Sequence, residues 1–352
     1  MIFLFILCFG ILFIGVRKRA KGENPLAPAV TTSINGIFVL MVMLTHFYQY
    51  AGKYLTSLPN TAYGTARFIM GQTVVATFLF FSGYGMMEQI SKKKQSYARS
   101  IFKNRFLKVL FHFDLALILF IIMGIVFKRP DKPLKILTSL IGWSKLSIGN
   151  SNWFMFTTFC LYIIVFIAFF RYDEKKPIRS LSIMTALVGI YILLICLSPN
   201  NSSRFYNTVF CFVVGMWFSH FKNHFFAFIR KSKKNYIFSL ILCVAVGTVF
   251  AILCTGHENV VCNLLYNFYA LAVAFFFILL AEKLTFGNKV LLWLGKYTFP
   301  IYILQRIPYI LFREVGLLTY SIPLYFIVCV VSTLILAYCF QHLTNWLDRL
   351  IW

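Results

Sequence analysis

His46 is the residue of this chain whose type and position most clearly indicate chemistry. It lies in an otherwise apolar run, residues 34–50 (INGIFVLMVMLTHFYQY). A titratable side chain at membrane depth costs a few kcal/mol unless it faces a polar cavity, so such a residue is a candidate for a functional site. The structural alternative is a neutral imidazole that is hydrogen-bonded to a neighbouring helix.

Asn35 precedes His46 by eleven residues on the same predicted helix. At ~100° per residue this spacing returns to within about 20° of the same face, and it separates the residues by ~16 Å along the axis. Both side chains can therefore line one cavity. The following span carries a small and polar stripe, for which close helix packing is the alternative to a cavity lining; its members are Gln72, Thr73, Thr77, Ser82, Gly83 and Gly85.

A cluster of basic residues follows that span. Its first part, in residues 92–99, is explained by an orientation signal together with contact to anionic lipid. Its second part, Lys103, Arg105 and Lys108, runs directly into the next apolar span. These three side chains are expected at the mouth of the helix bundle, where a polyphosphate ligand would fit.

The apolar segment 291–312 (LLWLGKYTFPIYILQRIPYILF) contains Arg306 and two prolines. Pro300 and Pro308 break the helix within lipid depth, and the freed carbonyl groups need partners from neighbouring helices or a cavity. A charged Arg306 side chain at this depth costs free energy unless it reaches an acid, the outer interface or a ligand. Snorkelling to the outer face is its structural alternative.

The composition indicates which elements must position these residues. Hydrophobic residues make up 60% of the chain and charged residues 12%, with a mean hydropathy of +0.79. A soluble globular domain carries about 25% charged residues. We therefore predict an all-α, polytopic transmembrane helix bundle. A chain of this length holds about ten spans of ~20 residues, which leaves no room for a soluble catalytic domain.

The net charge of +24 does not indicate a nucleic-acid partner, because Lys and Arg lie in short clusters between apolar spans. Membrane lipid is the partner that these clusters predict. The nine cysteines lie in or beside apolar spans without a CxxC pair, so no metal site is expected. Cys254 and Cys262 bracket a predicted outer loop and form the one plausible disulfide, with two free thiols as the alternative.

Eleven apolar segments of spanning length are predicted, and the distribution of Lys and Arg places the N-terminus outside and the C-terminus inside. Residues 1–32 are predicted to be an extra N-terminal span, retained rather than cleaved, with a linker, and residues 33–352 a ten-helix domain. Segment 134–151 is predicted to be interfacial or re-entrant on the outer face, and 223–234 an amphipathic stretch on the inner leaflet. The spans are 1–16, 34–52, 67–89, 107–127, 152–170, 180–197, 207–221, 236–254, 263–281, 291–312 and 322–342.

Six short runs, taken in order, resemble the bacterial acyltransferase family 3 membrane proteins. The resemblance covers about residues 33–342 and rests on the order and helix placement of the runs, since no single run is very specific. The runs are 33–47 (SINGIFVLMVMLTHF), 80–85 (FFSGYG), 103–108 (KNRFLK), 150–154 (NSNWF), 206–208 with 212–216 (YNT and FVVGM), and 294–304 (LGKYTFPIYIL).

The resemblance implies transfer of an acyl group, usually acetyl, from cytoplasmic acyl-CoA to a hydroxyl of a cell-surface or lipid-linked glycan. It also implies a multi-pass protein of the bacterial plasma membrane. No cofactor is expected to be bound, and acyl-CoA, in the usual case acetyl-CoA, is expected as co-substrate.

The family motifs match this chain in part. The family pairs an Arg with a His eleven residues later; His46 matches the His, while Asn35 stands where the Arg would be, so an Arg-dependent role cannot be assigned to it. The Arg-x-Arg element at the inner face is matched conservatively by residues 103–105. Gln305 stands at the position of a frequent family His, which narrows the candidates for catalysis to His46.

We therefore expect an O-acyltransferase with His46 as general base; a covalent acyl-His intermediate is an alternative. Rival interpretations are a transporter or flippase of a lipid-linked glycan, and a structural partner in a glycan-export complex. The residues expected to bind the donor CoA are Lys103, Arg105, Lys108, Asn35 and Ser82, and those expected on the acceptor side are Asn152, Trp153 and Arg306.

Overall fold

The computed structural model describes residues 10–11, 13–20, 22–149, 152–198, 202–257 and 259–352. Within these residues the chain is almost entirely helical. The strands described there are the two-residue segments Arg17–Lys18 (β1) and Leu284–Thr285 (β2), which pair antiparallel. The predicted all-α fold is thereby confirmed. The extra N-terminal span predicted at 1–16 lies mostly outside the described residues, and the division of the chain at residue 32 stays a prediction.

The described part of the chain forms a succession of α-helices connected by short loops. Each of the ten spans predicted between residues 34 and 342 coincides with one or more of them. The helices are α1 Pro28–Ala51, α2 Leu58–Met70, α3 Thr73–Ile101, α4 Lys108–Val126, α5 Pro133–Leu140, α6 Trp153–Phe169, α7 Pro177–Leu197, α8 Phe210–Lys231, α9 Lys233–Cys254, α10 Val260–Lys283, α11 Lys289–Lys296, α12 Thr298–Leu304, α13 Arg306–Glu314, α14 Leu317–Tyr320 and α15 Ile322–Ile351.

Six helical stretches of the described residues are long and apolar enough to cross a membrane. This finding confirms a polytopic membrane bundle. One of the stretches, Thr61–Val126, contains two of the predicted spans, and α6 is apolar but only 17 residues long. The other five stretches are Pro28–Tyr54, Pro177–Leu197, Lys233–Cys254, Val260–Lys283 and Ile322–Ile351.

The predicted span 291–312 is not one helix but three short ones, α11 to α13. The helix is interrupted at Tyr297 and again at Gln305. Each interruption comes three residues before a proline, Pro300 or Pro308. A proline ring clashes with the preceding turn and removes one backbone donor, so the helix breaks on its N-terminal side. The second break places Gln305 and Arg306 at the start of a new helix.

Two further helices differ from their predicted bounds at the end of the bundle that carries residues 92–108, here called the basic end. Helix α3 bends at Lys94, which has a positive φ of 53°, and continues as a π-helical turn over Phe102–Leu107. Helix α8 runs without a break to Lys231. Most of the amphipathic stretch predicted at 223–234 is therefore an extension of α8 and not a separate surface helix.

Two pairs of glycines allow helices to approach each other closely. A Cβ atom at Gly83 would overlap the carbonyl oxygen of Phe212, and one at Gly215 would overlap that of Phe80, so α3 and α8 pack backbone to backbone. Packing, the alternative given for the small-residue stripe, therefore explains Gly83. Helices α1 and α11 meet in the same way, since a Cβ at Gly36 or Gly295 would overlap a carbonyl oxygen of the other helix.

Cys254 and Cys262, weighed above as a disulfide, are both free thiols in the structure. The Cys262 backbone N–H donates to the Asn259 side chain at 2.8 Å, which caps the start of α10. The loop that they bracket is therefore held by a helix cap and not by a covalent link.

The predicted orientation can be tested by labelling single introduced cysteines in intact cells. We expect Lys94→Cys and Lys176→Cys to react only after the membrane is permeabilised, and Asp131→Cys and His257→Cys to react from outside, because basic loops stay in the cytoplasm. The parent chain, with its own nine cysteines, gives the background. Labelling of Lys94→Cys from outside intact cells would invert the bundle.

Candidate active site

A cavity of about 460 Å³ lies where α1 ends and α3 begins, and His46 forms part of its wall. We call it the His46 pocket. The side chains that line it include polar and charged groups from several elements, namely His46 and Gln49 from α1, Arg67 from α2, Gln72, Lys145, Trp153 from α6, Arg204, Tyr302 from α12 and Arg306 from α13. Chain segments distant in sequence thus converge on the one histidine predicted to be functional.

The orientation of His46 is set by the packing of its neighbour Phe47. The Phe47 ring is fully buried against Tyr309, Tyr325 and Phe326, which fixes a neighbouring face of α1 against α13 and α15. The Tyr309 hydroxyl also donates to the carbonyl of Met43 at 3.1 Å. With this face held, the adjacent position 46 is directed into the pocket.

The imidazole of His46 is half-buried, and its Nδ1 atom has no hydrogen-bond partner among the described residues. Gln305 lies next to the ring and is fully buried. The Gln305 Nε2 atom donates to the Tyr302 carbonyl at 3.2 Å, while its Oε1 atom is unpartnered. An unsatisfied buried polar atom costs about 1–3 kcal/mol. His46 Nδ1 and Gln305 Oε1 can therefore form hydrogen bonds with each other, with water or with a substrate.

Arg306 lies in the pocket wall directly after the second break of the 291–312 segment. Its side chain is buried, Nη2 donates to Gln49 Oε1 at 2.8 Å, and Nε has no partner. No acid pairs with Arg306 among the described residues. Of the alternatives given by the sequence, this geometry favours a ligand-facing arginine over one paired with a carboxylate.

Arg67 is positioned by the turn that joins α2 to α3. At this turn Gly71 has a positive φ of 46°, and the Tyr266 hydroxyl accepts from Gln72 N at 2.9 Å and donates to Met70 O at 3.0 Å. The Arg67 guanidinium lies 5.1 Å from the centre of the Tyr48 ring, and its Nε atom is unpartnered. The turn thus presents a second arginine to the pocket.

Lys145 and Arg204 reach the pocket from two loops. The loop of Lys145 is held by Asn152, whose Nδ2 atom donates to the Ser144 carbonyl at 2.8 Å. Partial desolvation lowers the pKa of Lys145, and the nearby positive charges, Arg306 first among them, lower it further. Both causes disfavour the charged ammonium group.

Of the three residues predicted for the acceptor side, Trp153 and Arg306 line the His46 pocket. Asn152 is buried and positions the loop of Lys145 instead of facing the cavity. The neighbouring positions 150 and 151 of the NSNWF run lie outside the described residues.

The residues predicted to bind the donor lie at the basic end. Lys103 is exposed, with its amine 5.4 Å from the Trp352 ring, and Arg105 Nε donates to the Tyr97 hydroxyl at 3.1 Å. Lys108 is less available, because its amine forms an ion pair with Asp348 at 2.7 Å.

Asn35 and Ser82 lie between the two ends of the bundle. The Oδ1 atom of Asn35 is buried and unpartnered, as is Oγ1 of Thr77, whereas the Ser82 hydroxyl lies 3.5 Å from that of Tyr162. Val75 in the pocket wall and Lys93 near the bend are 18 residues apart, or ~27 Å along a straight helix. The structure thus places His46 and the basic end at opposite ends of α3.

Sequence reasoning did not assign Arg67, Lys145 or Arg204 to a site. With the N-terminus outside, the predicted spans put all three in outer segments, where basic residues are in the minority. This departure from the usual charge distribution was the signal in the sequence that could have assigned them to a site. Among the described residues, no group of three or more His, Cys, Asp or Glu is suited to bind a metal ion.

These features define an integral-membrane helix bundle with a polar site towards the end of α1 and the start of α3. Comparison with family models gives a match to an acyltransferase domain, that of acyltransferase family 3, over residues 33–342. The chain therefore belongs to acyltransferase family 3, and it is a membrane acyltransferase. Searches of curated proteins and of solved structures give no significant match.

Proposed function

We propose that the protein transfers an acyl group, acetyl in the simplest case, from cytoplasmic acyl-CoA to a hydroxyl of a cell-surface or lipid-linked glycan in the bacterial plasma membrane. The observation that carries this proposal is His46, which lines a cavity within the helix bundle and has an unpartnered Nδ1 atom. Membership of the family supplies the reaction class. The acceptor and the donor are inferred from the resemblance described above.

The chemistry requires one base and close approach of two substrates. The thioester is already activated, so the enzyme has to hold the donor and the hydroxyl together and remove one proton. In this proposal His46 takes the proton of the acceptor hydroxyl while the hydroxyl oxygen attacks the carbonyl carbon of the thioester. The C–S bond then breaks, and the sulfur of CoA leaves with the proton returned by the imidazole.

Gln305 is a positioning residue in this scheme. Its unpartnered Oε1 atom lies beside the His46 ring, whose Nδ1 atom also lacks a partner. If Oε1 accepts the proton of Nδ1, the tautomer is fixed and Nε2 is the basic nitrogen. The amide thus orients the base without taking part in proton transfer.

The donor would enter at the basic end, with its phosphates on Lys103 and Arg105. Its pantetheine arm carries amide groups that need hydrogen-bond partners within the bundle. The unpartnered atoms Asn35 Oδ1 and Thr77 Oγ1 lie on α1 and α3, two of the helices that form the His46 pocket. These atoms support a route between α1 and α3 along which the thioester reaches His46.

The decisive test is thioester turnover by the purified protein in lipid nanodiscs. We expect release of free CoA from acetyl-CoA, detected with a thiol reagent, and its stimulation by a glycan acceptor. A transporter or flippase would move a lipid-linked glycan without releasing CoA. Absence of CoA release by folded protein with every acceptor tried, together with glycan transport in liposomes, would contradict the proposal.

The donor assignment predicts a specific kinetic change. We expect the double variant Lys103→Gln/Arg105→Gln to raise the KM for acyl-CoA by about tenfold or more, because charge-assisted hydrogen bonds contribute about 1.5–3 kcal/mol each. The effect on kcat should be smaller, since ground-state and transition-state binding are lost together. The measurement is steady-state kinetics at saturating acceptor.

The matched control is Lys92→Gln/Lys93→Gln, which removes the same charge from two exposed residues of the same end. Its KM for the donor should stay near that of the parent chain. An unchanged donor KM in Lys103→Gln/Arg105→Gln, with altered membrane topology, would show that these residues only orient the chain.

A further inference from the structure

The His46 pocket is strongly and unusually positive. Among the described residues that line it, four carry basic side chains and none is Asp or Glu. We call them the four pocket cations: Arg67, Lys145, Arg204 and Arg306. None of them forms an ion pair with any other described residue.

Two acids of the described chain lie at the same end as the pocket, but both are engaged elsewhere. Asp131 forms an ion pair with Lys135 at 2.6 Å, and Glu314, eight residues after Arg306, bonds to Arg129 and Arg313. Positive charges that crowd together without a counter-ion repel one another. An anion that does not belong to the chain would therefore stabilise these positive charges most.

Two of the four pocket cations carry unsatisfied donors. The Nε atoms of Arg67 and Arg306 are buried and have no partner, and Arg306 as a residue is 8% exposed. A guanidinium presents its N–H groups as a planar fork that matches carboxylate and phosphate oxygens. Buried, unpartnered N–H groups are a second and independent indication of an anionic ligand.

We propose that the acceptor glycan is anionic and that the four pocket cations bind its phosphate or carboxylate group beside His46. This inference rests on the proposed function and adds the substrate class. Both the anion and the reacting hydroxyl belong to one sugar or to adjacent sugars, because the histidine and the cations share one cavity of about 460 Å³. Trp153, in the same wall, offers an aromatic face to the sugar ring.

The test measures binding and does not depend on turnover. Purified protein in phosphatidylcholine nanodiscs is titrated with matched pairs of probes, methyl glucuronide against methyl glucoside and N-acetylglucosamine 1-phosphate against methyl N-acetylglucosaminide. We expect at least one anionic probe to bind about tenfold or more tightly than its neutral partner, with an affinity that falls as salt is added. Equal binding of both members of both pairs would overturn the proposal.

Variants connect the binding to the pocket. Lys145→Gln/Arg204→Gln alters two exposed loop residues, so the fold should persist, and we expect the affinity for the anionic probe to fall about tenfold. The control is Lys53→Gln/Lys132→Gln, with the same loss of charge at two exposed residues outside the pocket. Equal loss in both double variants would show a general surface effect and overturn the assignment.

Two competitors separate the sources of a phosphate group. Glycerophosphoglycerol represents the headgroup of an anionic lipid, and adenosine 3′,5′-bisphosphate represents the phosphates of CoA. We expect either to displace the anionic sugar only at about tenfold higher concentration, since neither carries the sugar. Displacement at equal or lower concentration would assign the pocket to lipid or to the donor. Neither outcome affects CoA release, which tests the proposed function separately.

Discussion

Replacing His46 by alanine is expected to lower acyl transfer by about 100-fold to 10,000-fold while the protein still folds, because a general base contributes a factor of that size. The imidazole lines the pocket and its Nδ1 atom holds nothing in place among the described residues, so its loss removes chemistry and little packing. The measurement is the rate of CoA release at saturating donor and acceptor. Near-normal transfer by His46→Ala would remove the central claim.

Two variants make this result specific. His224→Ala changes an exposed histidine that does not line the pocket, and it should leave the rate unchanged. Gln305→Leu should lower kcat by less than His46→Ala does, and it should leave the donor KM unchanged. Without the amide, the His46 ring is no longer held in one tautomer and one orientation, but the base is still present. A Gln305→Leu variant whose rate and pH profile match the parent would show that the amide is only structural.

The second large effect is expected from the contact between α1 and α11. A Cβ atom at Gly295 would overlap the Thr32 carbonyl oxygen, and one at Gly36 would overlap that of Leu291. Backbone atoms cannot rotate away, so we expect Gly36→Ala and Gly295→Ala each to destabilise the protein by about 1–3 kcal/mol or more. The measurements are the yield of monodisperse protein and its thermal unfolding midpoint.

Gly189→Ala is the matched control, since a Cβ at this position of α7 meets no atom within 4 Å. Alanine is favoured over glycine by about 0.5–1 kcal/mol in a helix interior, so this variant should be neutral or slightly more stable. If Gly36→Ala and Gly295→Ala unfolded at the same midpoint as Gly189→Ala, the close approach of α1 and α11 would be wrong.

The helices could be predicted from the sequence because long apolar runs determine them locally. Pro300 and Pro308 predict breaks in the segment 291–312, and the structure has them at Tyr297 and Gln305. The prediction of one continuous span there was wrong. The continuity of α8 through residues 223–231 was missed. Its basic residues resembled a surface stretch, but Glu88 pairs with Lys222 and Glu282 with Arg230, which accommodates those charges on one long helix.

The pocket could be predicted only in part. The cost of burial identified both His46 and Arg306, since that argument needs only one segment. Arg67, Lys145 and Arg204 join them through α2 and two loops whose positions depend on distant contacts, such as that between Tyr266 and the α2–α3 turn. A single sequence contains no direct record of such contacts. The remaining indications were that all three residues are positively charged and that all three fall in predicted outer segments.

The charge of the His46 pocket also bears on how tightly the membrane is sealed. Polar groups occur along α1 and α3, and a continuous polar path through a bilayer would conduct ions and protons. Four positive charges without a counter-ion among the described residues raise the energy of any Na⁺, K⁺ or hydronium ion that enters the cavity, as a cationic constriction does in a water channel. The arrangement proposed to attract an anion would therefore also act as an electrostatic barrier to cations.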